Sequence, residues 1–138
     1  MKTQKITHVN KVERTWHEID ASKETVGRVA TRIASLLRGK GKRTFSPHMD
    51  MGDYVVALNV DKLKLSGRKL EQKQYFRHSG YLGGLKTEDL KTLMNKKPEE
   101  VLKRAVFSML DEVKFRKAMM ARLKLVKGSE HNFAQLKK

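Results

Sequence analysis

Apolar residues follow two rhythms along this chain, and together they lay out its elements. Trp16 to Ile19 alternates apolar and polar, which predicts a first strand. Asp20 to Lys23 reads as a turn, and Ser22 or Thr25 can cap the helix after it. Val26, Val29, Ala30, Ile33, Leu36 and Leu37 recur at helical spacing and predict a helix over 26–37, with Gly39 as its stop. Tyr54 to Val60 is a nearly continuous apolar run. It is too short for a typical helix and too uniform for a half-exposed strand, so it predicts a central strand covered on both faces. Leu63 to Ser66 reads as a further short strand ended by Gly67. Thr87 to Asn95 predicts a short helix capped by Thr87, with Glu88 and Asp89 at its positive start. Pro98 suits a first helical turn, and Val101, Leu102, Ala105, Val106, Met109 and Leu110 form the stripe of a helix over 99–110. That stripe extends through Phe115, Ala118, Met119 and Ala121, and Leu123 to Val126 reads as the last strand. This order predicts an α/β layered domain with a small, at least partly parallel sheet.

The pattern divides the chain into a polar N-terminal arm (1–14), a single α/β domain (15–127) and a polar C-terminal extension (128–138). No repeat and no dividing linker appears. The apolar fraction of 38% is low, but the apolar positions are clustered and periodic, which argues against disorder. The absence of cysteine excludes a disulfide framework and thiolate metal sites. No apolar run reaches the roughly 18 residues of a membrane span, and the first residues lack the apolar core of a secretory signal.

Charge changes the picture most. Thirty-one Lys and Arg against fifteen Asp and Glu give a formal +16 and a pI near 10.2. An excess of this size repels itself unless a polyanion is present, so nucleic acid is the leading partner and an anionic membrane surface the second. A basic but merely soluble protein is the bland alternative. From Thr25 to Met49 there is no acid, while Arg28, Arg32, Arg38, Lys40, Lys42 and Arg43 supply cations. A solvated helix face would mix the two signs. Lys62 to Arg77 carries Lys62, Lys64, Arg68, Lys69, Lys73 and Arg77 against Glu71 alone. The stretch Gln72–Lys86 then sets Tyr75, Phe76 and Tyr81 among Lys73, Arg77, His78 and Lys86, broken by Gly80, Gly83 and Gly84, with no acid. Aromatic faces stack on bases or sugars, cations meet phosphates, and glycines permit close approach.

Other chemistry is weaker. Arg38-Gly-Lys-Gly-Lys-Arg43 places its glycines after a helix, whereas a nucleotide loop needs them before one. His48, Asp50 and Asp53 are the one ligand-like cluster, and would serve a metal-dependent nucleic-acid enzyme, but Gly52-Asp53 also reads as a turn before the buried strand. His78-Ser79 is adjacent and lacks the nucleophile elbow. A membrane-binding helix would need a bulky aromatic apolar face, which none shows. Met109, Met119 and Met120 read as core filler, and Trp16 as a core anchor of the first strand.

The landmarks, taken in order, resemble the bacterial-type large-subunit ribosomal protein family called L-thirteen. They include Trp16 to Asp20, Gly27-Arg28, Pro47-His48, Gly52-Asp53-Tyr54, Asn59 and Asp61-Lys62. The sharpest are Tyr75, His78-Ser79-Gly80 and Gly83-Gly84 with Leu85. Pro98, Ala105-Val106, Met109-Leu110, Leu123-Lys124 and Glu130-His131-Asn132 continue them to about Gln135. Two departures stand out. Leu82 replaces the proline of the usual Gly-Tyr-Pro-Gly-Gly, and Asp111 to Lys117 lacks the Pro and Gly of a basic loop.

The resemblance implies a three-layer α/β/α domain around a small, mainly parallel four-stranded sheet. It implies a structural constituent of the large ribosomal subunit that binds large-subunit rRNA and supports its folding and assembly. For some members it extends to binding their own messenger. It implies no catalytic residue, no metal and no cofactor. The expected partners are rRNA and neighbouring large-subunit proteins, with no membrane and no small-molecule substrate. The expected place is the cytoplasmic large subunit, with an organellar ribosome left open. The expected RNA contacts are Arg28, Arg38, Lys40, Lys42, Arg43, Lys69, Lys73, Tyr75, Arg77, His78, Ser79, Gly80, Tyr81, Gly83, Gly84, Lys86, Lys114, Arg116, Lys117, Arg122 and Lys124.

Overall fold

The computed structural model describes residues 12–111, 114–131 and 133. Most of the N-terminal arm, Glu112, Val113 and most of the C-terminal tail lie outside the described residues. The fold is mixed α/β, as the rhythms predict. Its centre is a parallel sheet of β1 (Trp16–Asp20), β2 (Tyr54–Leu58) and β5 (Leu123–Leu125), in the order β1-β2-β5. Trp16 pairs with Tyr54, and Val55 pairs with Leu123. The middle position of β2 explains its unbroken apolar run, because Val55, Val56 and Ala57 are buried on both faces.

Among the described residues the sheet has three strands rather than four. The segment expected as a strand over 63–66 follows a single 3-10 turn (Val60–Lys62) and makes only an isolated bridge, Lys64 to Thr25. Asn59 turns the chain immediately after β2, in the left-handed region at φ 53. Its N–H donates to the Gly128 carbonyl at 2.8 Å and that of Val60 to Val126 at 3.2 Å. Asn59 Nδ2 also donates to Asp20 Oδ1 at 3.0 Å, and the Ser22 hydroxyl and N–H donate to the same oxygen. Asparagine tolerates this conformation because its short side chain bonds locally. The carboxyl ends of the strands are therefore tied together by side chains and turns.

Helix α1 (Val26–Arg38) buries Val29, Ala30, Ile33 and Leu37, and Gly39 ends it at φ 79 with its N–H bonded to Ser35 and Leu36. Each fully buried Ile or Leu here contributes roughly 1.5–3 kcal/mol. One turn, α2 (Lys69–Gln72), follows the 3-10 segment. A hairpin then forms, β3 (Gln74–His78) against β4 (Leu85–Asp89), separate from the main sheet. Thr87 is thus a strand residue paired with Phe76, not a helix cap. Helix α3 (Leu90–Lys96) starts after Asp89, and its first N–H donates to the Lys73 carbonyl at 2.9 Å.

Helix α4 (Pro98–Met109) buries Val101, Leu102 and Val106 against α1, with Glu99 and Glu100 favourably placed in its first turn. The stripe does not run on as one helix. Leu110 is extended (φ −79, ψ 140), and α5 (Arg116–Ala121) is a separate element whose Met119 enters the core.

The opposite face of the sheet follows from strand parity. Ile19 points to the main core, so Trp16, three residues earlier, points away. Trp16 is not a core anchor. It stacks on Tyr54 at 4.5 Å and on Phe133 at 5.8 Å. His131 lies 3.5 Å from Glu18 on the same side, so the C-terminal segment covers this face.

The amino ends of the strands meet in a polar clamp. Arg122 makes two bonds to Asp50, at 2.7 and 2.6 Å, and donates to the Leu37 carbonyl at 3.3 Å. Arg14 donates to the Gly52 carbonyl and lies 3.4 Å from Asp50. Asp53 accepts from Lys42 at 2.5 Å, the Thr15 N–H at 2.9 Å and His17 at 3.2 Å. Gly52 is obligatory, because a Cβ there would sit 1.6 Å from the Leu37 carbonyl oxygen.

Burial pushes the Asp50 and Asp53 carboxyls up. For Asp50 the Arg122 bonds and charge outweigh it, and for Asp53 those of Lys42, Thr15 and His17 do, so both stay below the usual carboxylate range. The bond from Asn59, then those from Ser22, hold Asp20 down at about 2.

A lowered folded-state pKa stabilises at neutral pH and loses its contribution as pH falls through it. Stability should therefore decline below the ordinary carboxylate value of 3.8, with the Asp20 share gone near pH 2. Asp50→Asn strands Arg122 and should cost roughly 3 kcal/mol in urea unfolding at neutral pH. It should also flatten the acid decline. In the hairpin, Gly84 N–H bonds Tyr81 O at 2.9 Å and Gly83 has φ 73. This is the type II pattern, which puts Leu82 where proline is favoured. Leu82→Pro should raise stability by about 0.4–1 kcal/mol; a loss in urea unfolding would contradict that turn.

Candidate nucleic-acid interface

The structure sorts the basic residues by what already neutralises them. Arg38 and Arg122 are each 7% exposed. Arg38 reaches Asp111 at 3.2 Å and the Pro47 carbonyl at 3.4 Å, and lies between the rings of Phe45 and Phe115. Lys42 is bound to Asp53 and to the Glu13 carbonyl at 2.7 Å. Arg116 covers the Phe107 ring at 3.8 Å and donates to the Phe107 carbonyl. These four candidate RNA contacts serve the protein itself in this conformation.

Arg28, Lys40, Arg43, Lys69, Lys73, Arg77, Lys86, Lys114 and Lys117 are exposed and free of ion pairs among the described residues. Lys124 pairs in register with Val56 and is half-buried on the second face of the sheet. The fold gathers the remaining cations at two poles. Arg28 sits near the start of α1, beside the surface formed by Lys69 and Lys73. Lys40 and Arg43 lie beyond its end, where the contact of Arg38 with Phe115 brings up Lys114 and Lys117. A 13-residue helix separates the poles by about 20 Å.

The hairpin continues the first pole. Arg77 and Lys86 are directly paired across its strands. Like charges opposite one another are destabilising in a bare hairpin, and an anion between them removes the penalty. The other face carries Phe76 and Leu85, both exposed. The sequence singled out Phe76 but not its neighbour Leu85, since their shared face depends on the register. At the tip, Tyr81 is 80% and Leu82 94% exposed. Gly80 and Gly83 both adopt positive φ, and a Cβ on Gly84 would meet Ser79 Oγ at 2.1 Å. The tight turn thus presents Tyr81 outward.

Tyr75 is placed differently. It is half-buried against the core, with Lys73 at 5.3 Å and Arg104 at 4.8 Å over its ring. Burial pushes its hydroxyl pKa up, opposed by the Arg104 charge. His78 Nδ1 accepts the Gly80 N–H at 2.9 Å, so that nitrogen serves the turn rather than Ser79. In the His48 loop, His48 pairs with Ser46 at 2.9 Å, while Asp50 and Asp53 are engaged in the clamp. Among the described residues no group of three or more His, Asp or Glu converges as metal ligands. No helix among them is long and apolar enough to cross a membrane.

Known proteins resemble this chain over most of its length. The family model described as "Ribosomal protein L13" matches residues 14–132. Several relatives carry the name "Large ribosomal subunit protein uL13". That of Clostridioides difficile is 52% identical over 123 residues, covering 89% of this chain and 86% of the relative. That of a Nitratiruptor species is 50% identical over 138 residues, covering 99% of both. That of Nitratidesulfovibrio vulgaris is 47% identical over 137 residues, covering 99% and 94%. The match runs through β1, the Gly52 loop, the hairpin and β5, and on these grounds the chain belongs to the ribosomal protein L13 family.

Proposed function

We propose that this chain is a structural constituent of the large ribosomal subunit, binding large-subunit rRNA and supporting its folding and assembly, with residues 15–127 as the RNA-binding domain. The observation that carries the reading is the segregation of charge. The acids at the amino ends of the strands are spent on internal cations, while unpaired cations remain at both poles of α1 and along the hairpin. Such an arrangement suits several RNA segments meeting on one small protein. Recognition is of folded RNA shape, because A-form grooves hide the base edges.

The role is one of holding RNA rather than of catalysis. The candidate acids Asp50 and Asp53 are engaged in ion pairs, and His78 serves its own turn. Neighbouring large-subunit proteins complete the set of partners, and no small-molecule substrate is involved. The protein acts in the cytoplasm, within the ribosome.

The charge reading is tested by salt. If roughly six phosphates are contacted, log K should fall with log salt at a slope of about −4 to −5. Lys40→Gln with Arg43→Gln should make that slope shallower by about 1–2. Arg38 and Lys42 are left out because they support the fold. A slope near zero would sink the electrostatic basis of the proposal.

The hairpin is tested separately. Arg77→Ala and Tyr81→Ala alter exposed side chains, so both should fold as wild type. Each should weaken rRNA binding by roughly tenfold, the worth of one charged contact or one stacked base. Normal incorporation of both variants into large subunits would make the hairpin a bystander.

A further inference from the structure

One concavity is left over from the packing of the fold. The first turn of α1, the segment at Lys64 and the turn α2 enclose a cavity of about 250 Å³ at the root of the hairpin. Part of its lining is apolar, from Val26, Leu65, Tyr75 and Met109. Its charged lining consists of Lys64, Lys69 and Lys73, with no carboxylate. The adjoining cleft around Arg77 and Lys86 differs, since Glu88 and Asp89 line it.

Three exposed lysines border this one small space, and none is ion-paired among the described residues; Lys69 Nζ donates to the Ser66 hydroxyl at 3.2 Å and Lys73 Nζ lies 5.3 Å from the Tyr75 ring. The backbone fixes where these side chains start. Lys64 is bridged to Thr25 and accepts the Val26 N–H at 3.0 Å. Lys73 donates its N–H to Lys69 O at 3.0 Å, closing α2. The volume lies near the low end of small-ligand clefts, roughly 300–1,000 Å³. It is too small for a helix or strand of a partner protein. A nucleotide has the matching division, an apolar base face and an anionic phosphate.

We propose that this cavity receives one nucleotide of the bound RNA turned out of its stack. Its base lies against Leu65, Tyr75 and Met109, and its phosphate lies among Lys64, Lys69 and Lys73. The proposal rests on the rRNA-binding reading, and adds to it a pocket for a single nucleotide beside the hairpin.

Gly27 offers a clean test. It borders the cavity, and a Cβ there meets nothing within 4 Å. Gly27→Phe therefore obstructs the cavity without a backbone clash and gives α1 a better helix former. Full-length protein and transcribed large-subunit rRNA would be compared by filter binding and by chemical probing of the RNA. Gly27→Phe should keep the wild-type Tm and salt slope yet bind roughly tenfold more weakly, the loss of one stacked base. One unpaired nucleotide protected by wild type should become reactive. The triple change Lys64→Gln, Lys69→Gln, Lys73→Gln should weaken binding and make the slope shallower by about 1, and it carries the test should Gly27→Phe lower the Tm. Wild-type affinity and protections in both variants would overturn the nucleotide pocket while leaving rRNA binding intact. Failure of the wild-type protein to bind the rRNA would overturn both.

Discussion

The pairing of Arg122 with Asp50 joins parts of the chain that lie far apart in sequence. The two residues are 72 positions apart, and both have left bulk water. Desolvating them is expensive, and the bidentate geometry with a further bond to Leu37 O is what offsets it. Where they meet, the end of α1, the loop before β2 and the start of β5 are brought to one point. Gly52 fills the gap between loop and helix because any side chain there would overlap the Leu37 carbonyl. The parallel sheet is aligned from this end, and from the other by Asp20, Asn59 and Gly128. Open α/β sheets usually bind ligands beyond the carboxyl ends of their strands. Here that crevice is spanned by the protein's own hydrogen bonds, and exposed cations without ion pairs lie instead at the helix poles and the hairpin.

Charge and fold are coupled through the same clamp. In a chain of formal charge +16, two of the acids, Asp50 and Asp53, neutralise the cations drawn into the clamp. The remaining cations are spread over two poles and a projecting hairpin, which limits their mutual repulsion without removing it. Arg38 and Arg122 show that a basic residue in a basic segment need not face the nucleic acid. Each helps shape the surface from which its exposed neighbours project.

Legibility in the sequence followed the strength of local periodicity. Helix α1, helix α4 and the buried strand β2 were readable because each carries an apolar pattern that only one element satisfies. The hairpin was not read as strands, and Thr87 to Asp89 was taken into a helix, since Gln74 to His78 and Leu85 to Asp89 leave nearly every side chain exposed and thus lack strand alternation. The turn α2 buries nothing and so leaves no stripe. Asp50 and Asp53 looked like metal ligands because a sequence does not show that cations 72 and 11 positions away lie against them. Trp16 was placed on the wrong face, although counting from Ile19 gives the parity correctly. Tyr81 and the glycines around it were legible as an exposed turn, since their chemistry is local.

The order of strands also sets a timetable. β2 lies at the centre of the sheet, yet one of its two neighbours, β5, is made of Leu123 to Leu125, and Phe133 comes later still. During synthesis, with the N-terminal part emerging first, β1, α1 and β2 are available long before the strand that covers the open side of β2. The aromatic stack of Trp16 and Tyr54 waits in the same way for its third ring. A nascent chain of this protein therefore holds β2 paired with β1 alone until Leu123 to Leu125 have been made. The sheet is thus completed only after helices α1 to α5 have all been made, and the parts of the fold that rest on it wait with it.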